Sequence, residues 1–511
     1  MADDKSHTKV ETLIIDKPSL DKDLKKISRL EDATRATANS YYQGPFGIAI
    51  LFLAAAGISA ITFLPEQPHL IVITVAAMLG GYMALNIGAN DVANNVGPTV
   101  GSKALTMFGA LIIAAIFESA GAIFAGGDVI TTIAQDIIDP TLVPNSQTFI
   151  WAMMAALLAS ALWVNLATYL RAPVSTTHSI VGGVMGGGIA ALGVSAVNWF
   201  TMTKIMSSWL ISPFLGGVIA ALILAFIKTF IMYRQDKIKA AQRWLPILIA
   251  IMAASFSAYL MIKGLNKIWH PTNTEITFYS LGIFILTYAI MRPTIHHQSK
   301  DLTNRNQSLR ILFHIPLICS AALLSFAHGA NDVANAIGPV AAILHAAQYD
   351  NISTSVLIPT WVMFIGAFGI SLGLLLFGPK LIKTVGQQIT RINPMRAFSI
   401  ALATAITVII ASGLGLPVSS THIAIGAVFG VGFFREYYIS NSKRRKKFIK
   451  KHPNNKKSAA QFDIAKKEIQ RRKLVRRSHF IVIVTAWIVT VPASATLSAI
   501  IYVILNNFAY Y

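Results

Sequence analysis

The sequence predicts an all-α polytopic membrane protein made of two inverted-topology repeats, with broken helices or re-entrant segments at the midplane and about 12 to 13 transmembrane spans. Three observations carry this expectation. Hydrophobic residues make up 54% of the 511 residues against 13% charged, and the mean hydropathy is +0.59, well above what a soluble domain shows. Apolar runs of about 20 residues, the length that crosses a bilayer core, recur along the whole chain. One polar motif that lipid-facing chain could not tolerate occurs twice.

Counted in order, the candidate spans lie near 45–64, 69–88, 104–126, 147–170, 178–198, 206–232, 244–262, 273–291, 308–328, 355–378, 394–414, 417–436 and 480–506. Residues 1–44 hold charged and hydroxyl residues without an apolar core, so they read as a cytoplasmic tail and not as a cleavable signal peptide. The expected organisation is that tail, an extra span at 45–68, a first repeat at 69–235, a connecting pair of spans at 236–307 and a second repeat at 308–511.

The net charge of +21 is unevenly spread, since 17 basic residues fall between Arg435 and Arg477. A basic loop at 435–477 next to an apolar span fits a cytoplasmic segment obeying the positive-inside rule, and it does not point to nucleic acid. A regulatory or lipid-contacting loop and a plain solvated one fit it equally. Arg234, Lys237, Lys239 and Arg243 mark a second cytoplasmic loop, Arg292, Lys300, Arg305 and Arg310 a third, and Lys380, Lys383 and Arg391 a fourth. Asp128, Asp136 and Asp139 fall in a loop expected outside, whereas Lys204, Lys263 and Lys267 are exceptions there. The parity sets the N-terminus in the cytoplasm and the C-terminus outside, in a multi-pass protein of the cell (inner or plasma) membrane. A lone cysteine, Cys319, excludes an intrachain disulfide or a cysteine metal cluster.

The duplicated motif is Asn86-Ile-Gly-Ala-Asn-Asp-Val-Ala-Asn-Asn-Val-Gly-Pro98, repeated as Ala327-His-Gly-Ala-Asn-Asp-Val-Ala-Asn-Ala-Ile-Gly-Pro339. Pro173-Val-Ser-Thr-Thr-His178 likewise returns as Pro417-Val-Ser-Ser-Thr-His422, and Thr131–Ile137 resembles Lys383–Ile389 in the same order. On the span count the first half starts outside and the second inside. Inversion would bring equivalent breaks to one shared cavity at mid-membrane.

Each Pro-Val-Ser segment reads as the start of a half-helix. Proline ends what precedes it, and the hydroxyl run offers capping side chains. Free N–H groups and the positive dipole end make an anion site there, to which Ser175, Thr176, Thr177, Ser419, Ser420 and Thr421 add donors. A small tetrahedral oxyanion fits such converging donors. The plainer alternative is that these hydroxyls only cap helix ends.

Asn90, Asp91 and Asn94, with Asn331, Asp332 and Asn335, offer carboxylate and amide oxygens on one helical face. After a break at the glycine these hard ligands would hold Na+ or a proton, unless each aspartate merely caps its own helix. No Lys or Arg accompanies the motifs except Lys103, so the charge of an anion must be met by dipoles and co-bound cations. Glu118 is another intramembrane acid, and its counterpart in the second half is Ile370. It is a candidate proton or third-cation site, or else a structural hydrogen-bond anchor. His178 and His422 fit a role in holding the break by hydrogen bonding better than one in relaying protons.

The two doubled motifs resemble those of the inorganic phosphate transporter (PiT) family, over about 69–506. The resemblance implies an inverted-repeat fold and a symporter that imports inorganic phosphate with Na+ or H+, not an enzyme. It carries phosphate contacts onto Asp91, Ser175, Thr176, Thr177, Asp332, Ser419, Ser420 and Thr421. Cation contacts fall on Asn90, Asp91, Asn94, Asn331, Asp332, Asn335 and Glu118. No cofactor is implied beyond the co-transported ion. The partners expected are phosphate, Na+ or H+ and membrane lipid, with a homodimer left open. A sulfate permease of the same fold and a passive anion channel are the competing readings. An intramembrane enzyme finds no support, because no Walker-type loop, metal-spaced cluster or nucleophile with its base is present.

Overall fold

A computed structural model describes residues 44–67, 69–170, 174–264, 269–349, 358–388, 393–441 and 477–508. The N-terminal tail, Pro173 and most of the basic loop therefore lie outside the described residues. Contacts divide the chain into two units, Met1–Leu51 and Phe52–Tyr511. Both copies of each duplicated motif belong to the second unit.

The helices are α1 (Gly44–Phe63), α2 (Leu70–Gly101), α3 (Met107–Ala125), the short α4 (Gly127–Thr131) with a wide turn to Asp136, α5 (Ser146–Tyr169), α6 (Thr176–Leu192) and α7 (Trp199–Ile227). They continue with α8 (Lys237–Tyr259), α9 (Asn273–Gln298), α10 (Asn306–Leu312), α11 (His314–Tyr349), α12 (Thr360–Gln388), α13 (Pro394–Gly413), α14 (Ser420–Asn441) and α15 (Arg477–Phe508). Local signals set many of the starts. Side chains of Thr106, Asn145, Asn198, Asp236 and Asn393 cap α3, α5, α7, α8 and α13, and Thr272 with Glu275 forms a capping box on α9.

Among the described residues, 11 helices are long and apolar enough to cross a membrane. This is a multi-span membrane protein. Two of the thirteen expected spans, 178–198 and 417–436, are not among these. The first corresponds to α6, whose 17 residues reach about 25 Å at 1.5 Å each, short of a hydrocarbon core about 30 Å thick. The second corresponds to α14, which carries Ser-Thr-His at one end and Arg435-Glu436 at the other.

A second correction concerns the glycines of the duplicated motif. No break occurs there: α2 and α11 run as continuous helices through Gly88 and Gly329. Their glycines serve close packing instead. A methyl group on Gly88 would overlap the carbonyl oxygen of Ile370 in α12, and one on Gly329 would overlap that of Glu118 in α3. Small residues that let backbones touch are the usual basis of helix association where lipid removes the hydrophobic drive. The chain is interrupted elsewhere, between α5 and α6 and between α13 and α14.

Neighbouring residues at these glycines also give the helix directions. Along α2 and α12, Ala84 lies beside Gly369, Leu85 beside Gly373 and Val92 beside Gly378, so the two helices run parallel. Glu118 and Gly121 of α3 and Gly126 just after it lie beside Gly329, Phe326 and Val333 of α11, again parallel. The same holds for α6 with α15, through Gly182 with Val491 and Gly186 with Ala495, and for α14 with α7, through Ile423 with Gly216 and Gly430 with Gly217. Each helix of one half thus pairs with a helix of the other, and each pairing has a counterpart with the halves exchanged. Ser119 and Ser371, equivalent in the two halves, share a 2.6 Å hydrogen bond, and each hydroxyl reaches a carbonyl of the other helix, Ala367 and Ala115.

Burial follows from this pairing. Every residue of α11 from Ser320 to Leu344 is buried, while α9 buries only Ile295. The core beside α11 is made mainly of Ala, Ile, Val and Met. The two Gly-Ala-Asn-Asp motifs therefore sit in the buried stretches of α2 and α11.

Candidate functional site

The carboxylates of Asp91 on α2 and Asp332 on α11 come together at the start of α6. Thr176 Oγ1 donates to Asp91 Oδ2 at 3.0 Å and lies 3.2 Å from Asp332 Oδ2. Its single proton cannot serve both. From the other half-helix, Thr421 Oγ1 donates to Asp91 Oδ1 at 3.0 Å. Asn94 Nδ2 donates to Thr421 Oγ1 at 2.7 Å, and Asn335 Nδ2 to Thr177 Oγ1 at 3.2 Å. All of these except the half-buried Asn94 are buried.

Both half-helices are built as their sequence suggests. Ser175 Oγ accepts from the N–H of His178, and Ser419 Oγ from that of His422. The next amides, at Thr176, Thr177, Ser420 and Thr421, have no acceptor within their own helices. Asp332 Oδ1, Asn335 Oδ1 and the hydroxyl of Ser420 are buried without a hydrogen-bond partner in the protein. Buried polar atoms are nearly always satisfied, so an orphaned group at a convergence of this kind points to a ligand.

Two expected cation ligands take a different part. Asn90 turns from the carboxylates to donate to Thr168 Oγ1 at the end of α5, at 2.8 Å. Asn331 donates to Ser412 Oγ at the end of α13, at 3.0 Å, and accepts from the N–H of Val418 at 3.3 Å. The pattern is the same in both halves: each asparagine bonds a hydroxyl near the end of the helix that precedes a half-helix, Thr168 in α5 and Ser412 in α13.

Glu118 joins the cluster through a residue that the motifs did not single out. His328 Nδ1 lies 3.3 Å from Glu118 Oε2, while Nε2 lies 3.2 Å from Asp332 Oδ2 and 3.8 Å from Asp91 Oδ2. Asn95 Nδ2 donates to Glu118 Oε1 at 2.6 Å. The signal for His328 was present in the duplication, since its counterpart is Ile87. Where one copy replaces isoleucine by histidine inside an otherwise matched motif, a role confined to one half is indicated. Three acids and one imidazole therefore share a buried space. One ligand atom from each of Asp91, His328 and Asp332 lies within 4.8 Å of the others, close enough to hold a cation.

His178 and His422 lie next to one another, with ring centroids 4.4 Å apart, and Trp209 packs on His178 at 3.8 Å. They face each other and not the carboxylates.

Residues 87–498 match the model of the phosphate transporter family, which spans both copies of each motif. The chain belongs to this family. A Helicobacter pylori protein named "Putative phosphate permease" is 44% identical over 529 aligned positions, covering 95% of this chain and 99% of its own length. A Pyrococcus furiosus relative of the same description is 35% identical, covering 84% of this chain and 95% of its own. Among solved structures, one described as "The sodium-dependent phosphate transporter" superposes with a TM-score of 0.74 at 32% identity, covering 86% of this chain and 99% of that one.

Proposed function

We propose that the protein is a secondary active symporter that imports inorganic phosphate together with Na+ or H+. The observation that carries this reading is that Asp91 and Asp332 meet the hydroxyls of Thr176 and Thr421 from two different half-helices in one buried cluster. Phosphate would be held by Ser175, Thr176, Thr177, Ser419, Ser420 and Thr421, with the free amides of α6 and α14, and by Asp91 and Asp332 accepting from its own hydroxyls. Cations would be held by Asp91, Asn94, Asp332, Asn335 and Glu118, with Asn90 and Asn331 as braces.

Charge makes the coupling. No Lys or Arg pairs with Asp91, Asp332 or Glu118 among the described residues, so an anion meets acids that one imidazole cannot balance. Cations must bind with it. Membrane energetics point the same way, because a negative charge entering an inside-negative cell costs about 2.3 kcal/mol per 100 mV.

The helix directions support inverted repeats at about 69–235 and 308–511. Consecutive spanning helices α2 and α3 are joined by a five-residue turn, 102–106, so they run in opposite directions. Since α3 runs parallel to α11, α11 opposes α2, its equivalent in the first half. Such inversion is what lets a site at the repeat interface open alternately to either side. With the basic loop on the cytoplasmic side, this reading has the N-terminus in the cytoplasm and the C-terminus outside, in the cell membrane.

Uptake of labelled phosphate into proteoliposomes is the test, with Na+ varied at fixed pH and pH varied at fixed Na+. Concentrative uptake that needs one of these gradients is expected. Flux without either gradient would make the protein a channel. If excess sulfate abolished phosphate uptake while phosphate barely slowed sulfate uptake, the substrate would be sulfate.

A further inference from the structure

The stretch between α13 and α14 contains four consecutive backbone carbonyls, each taken by a side chain from a different element. Thr132 Oγ1 donates to Gly415 O at 2.7 Å, Asn331 Nδ2 to Leu416 O at 3.2 Å, Trp209 Nε1 to Pro417 O at 2.9 Å and Thr177 Oγ1 to Val418 O at 3.0 Å. Where such an irregular stretch passes from half-buried at Gly415 and Leu416 to buried at Pro417 and Val418, its carbonyls must find partners. Here the partners come from the turn after α4, from α11, from α7 and from α6, so they also fix where the stretch lies. One residue further on, Ser419, Ser420 and Thr421 begin α14.

Three of the four donors belong to helices that already touch the site. Thr132 does not. It sits in the turn after α4, a segment packed along α11 with Ile130 and Ile133 beside Gly338. The same segment is tied at its start, where Lys263 Nζ, in the wide turn that follows α8, lies 2.5 Å from Asp128 Oδ2. Gly415 has φ +68°, a left-handed conformation that glycine adopts without cost. A Cβ there would make only ordinary contact, 3.4 Å from Thr132 Oγ1 and 3.5 Å from Asp128 O, so the backbone angle and not space calls for glycine. Glycine, threonine and ion pair thus form one chain of contacts, from the turn after the connecting helix α8 to the second half-helix.

We propose that Thr132 is a positioning residue for anion capture: through Gly415 it sets the first turn of α14, and the Asp128–Lys263 pair holds Thr132 in place. This rests on the reading of α14 as half of the phosphate cradle. Thr132 touches no part of the cradle itself, and its effect runs entirely through the backbone of 415–419.

The test replaces Thr132→Val, which keeps shape and removes the donor, and Thr132→Ser, which keeps the donor. Phosphate half-saturation is measured in proteoliposomes at saturating cation, and amide hydrogen exchange over 415–423 is followed on the purified protein without phosphate. Losing a donor to a half-buried carbonyl is worth up to about a factor of ten. Thr132→Val is expected to raise half-saturation and to speed exchange in the first turn of α14 by about that factor, while Thr132→Ser stays within about twofold of the parent on both. Asp128→Asn and Lys263→Gln should shift both readouts the same way by less. Unchanged exchange in Thr132→Val overturns the proposal, as does equal loss in the Ser variant. If exchange responds as expected but the parent protein takes up no phosphate, the brace stands and the transport reading falls.

Discussion

The two halves differ most sharply at three positions that touch one another. Asn95, Glu118 and His328 form a polar chain, and their counterparts are Ala336, Ile370 and Ile87, all fully buried. Glu118→Ile removes a fully buried carboxylate and leaves the Asn95 amide and the His328 ring nitrogen without their partner. Breaking a buried pair from one side costs about 3–5 kcal/mol, and an orphaned amide adds about 1 kcal/mol. The single variant should therefore lose about 4–6 kcal/mol against unfolding in detergent. Converting all three positions to the residues of the other half, Asn95→Ala with Glu118→Ile and His328→Ile, removes both orphans but also takes the imidazole from Asp332 and Asp91, so it should recover part of that loss, because contacting residues are not additive. Chemical denaturation of the single, double and triple variants measures the coupling. A triple variant no more stable than Glu118→Ile alone would refute the idea that these three residues compensate one another.

Other consequences arise from the same geometry. Asp91→Asn and Asp332→Asn should each abolish concentrative phosphate uptake while the amount of folded protein stays close to the parent, as judged by monodisperse elution; normal accumulation by either variant would remove the carboxylates from ion coupling. Gly88→Ala and Gly329→Ala should each destabilise by roughly 1–3 kcal/mol through overlap with the Ile370 and Glu118 carbonyls, which a shift in melting temperature reports. Asn90→Ala should lower stability by about 1 kcal/mol with the loss of its bond to Thr168. Its cation-to-phosphate stoichiometry should be unchanged, whereas a ligand role would change it.

The polar motifs made much of this site legible in the sequence, because membrane depth leaves so few reasons for an aspartate or a run of hydroxyls. Asp91, Asp332, Thr176 and Thr421 could be named from residue type and duplication alone, and the structure brings them within hydrogen-bonding reach. Periodicity could not tell a break from a crossing. A glycine beside asparagine suits an unwound turn and a close helix contact equally, and only the neighbour across the interface, Ile370 or Glu118, decides for contact. Direction of side chains was equally hidden: Asn90 and Asn94 are one turn apart on α2, yet one braces α5 and the other reaches Thr421. His328 was visible only as a mismatch with Ile87. Mismatches inside a duplication therefore carry a different kind of information from the matches. Matched residues are shared by both halves, whereas Asn95, Glu118 and His328 add polar and ionisable groups on one side only. Two carboxylates related by the duplication would have equal surroundings; a third acid reached through one imidazole makes the surroundings of Asp91 and Asp332 unequal, with His328 Nε2 3.8 Å from one and 3.2 Å from the other.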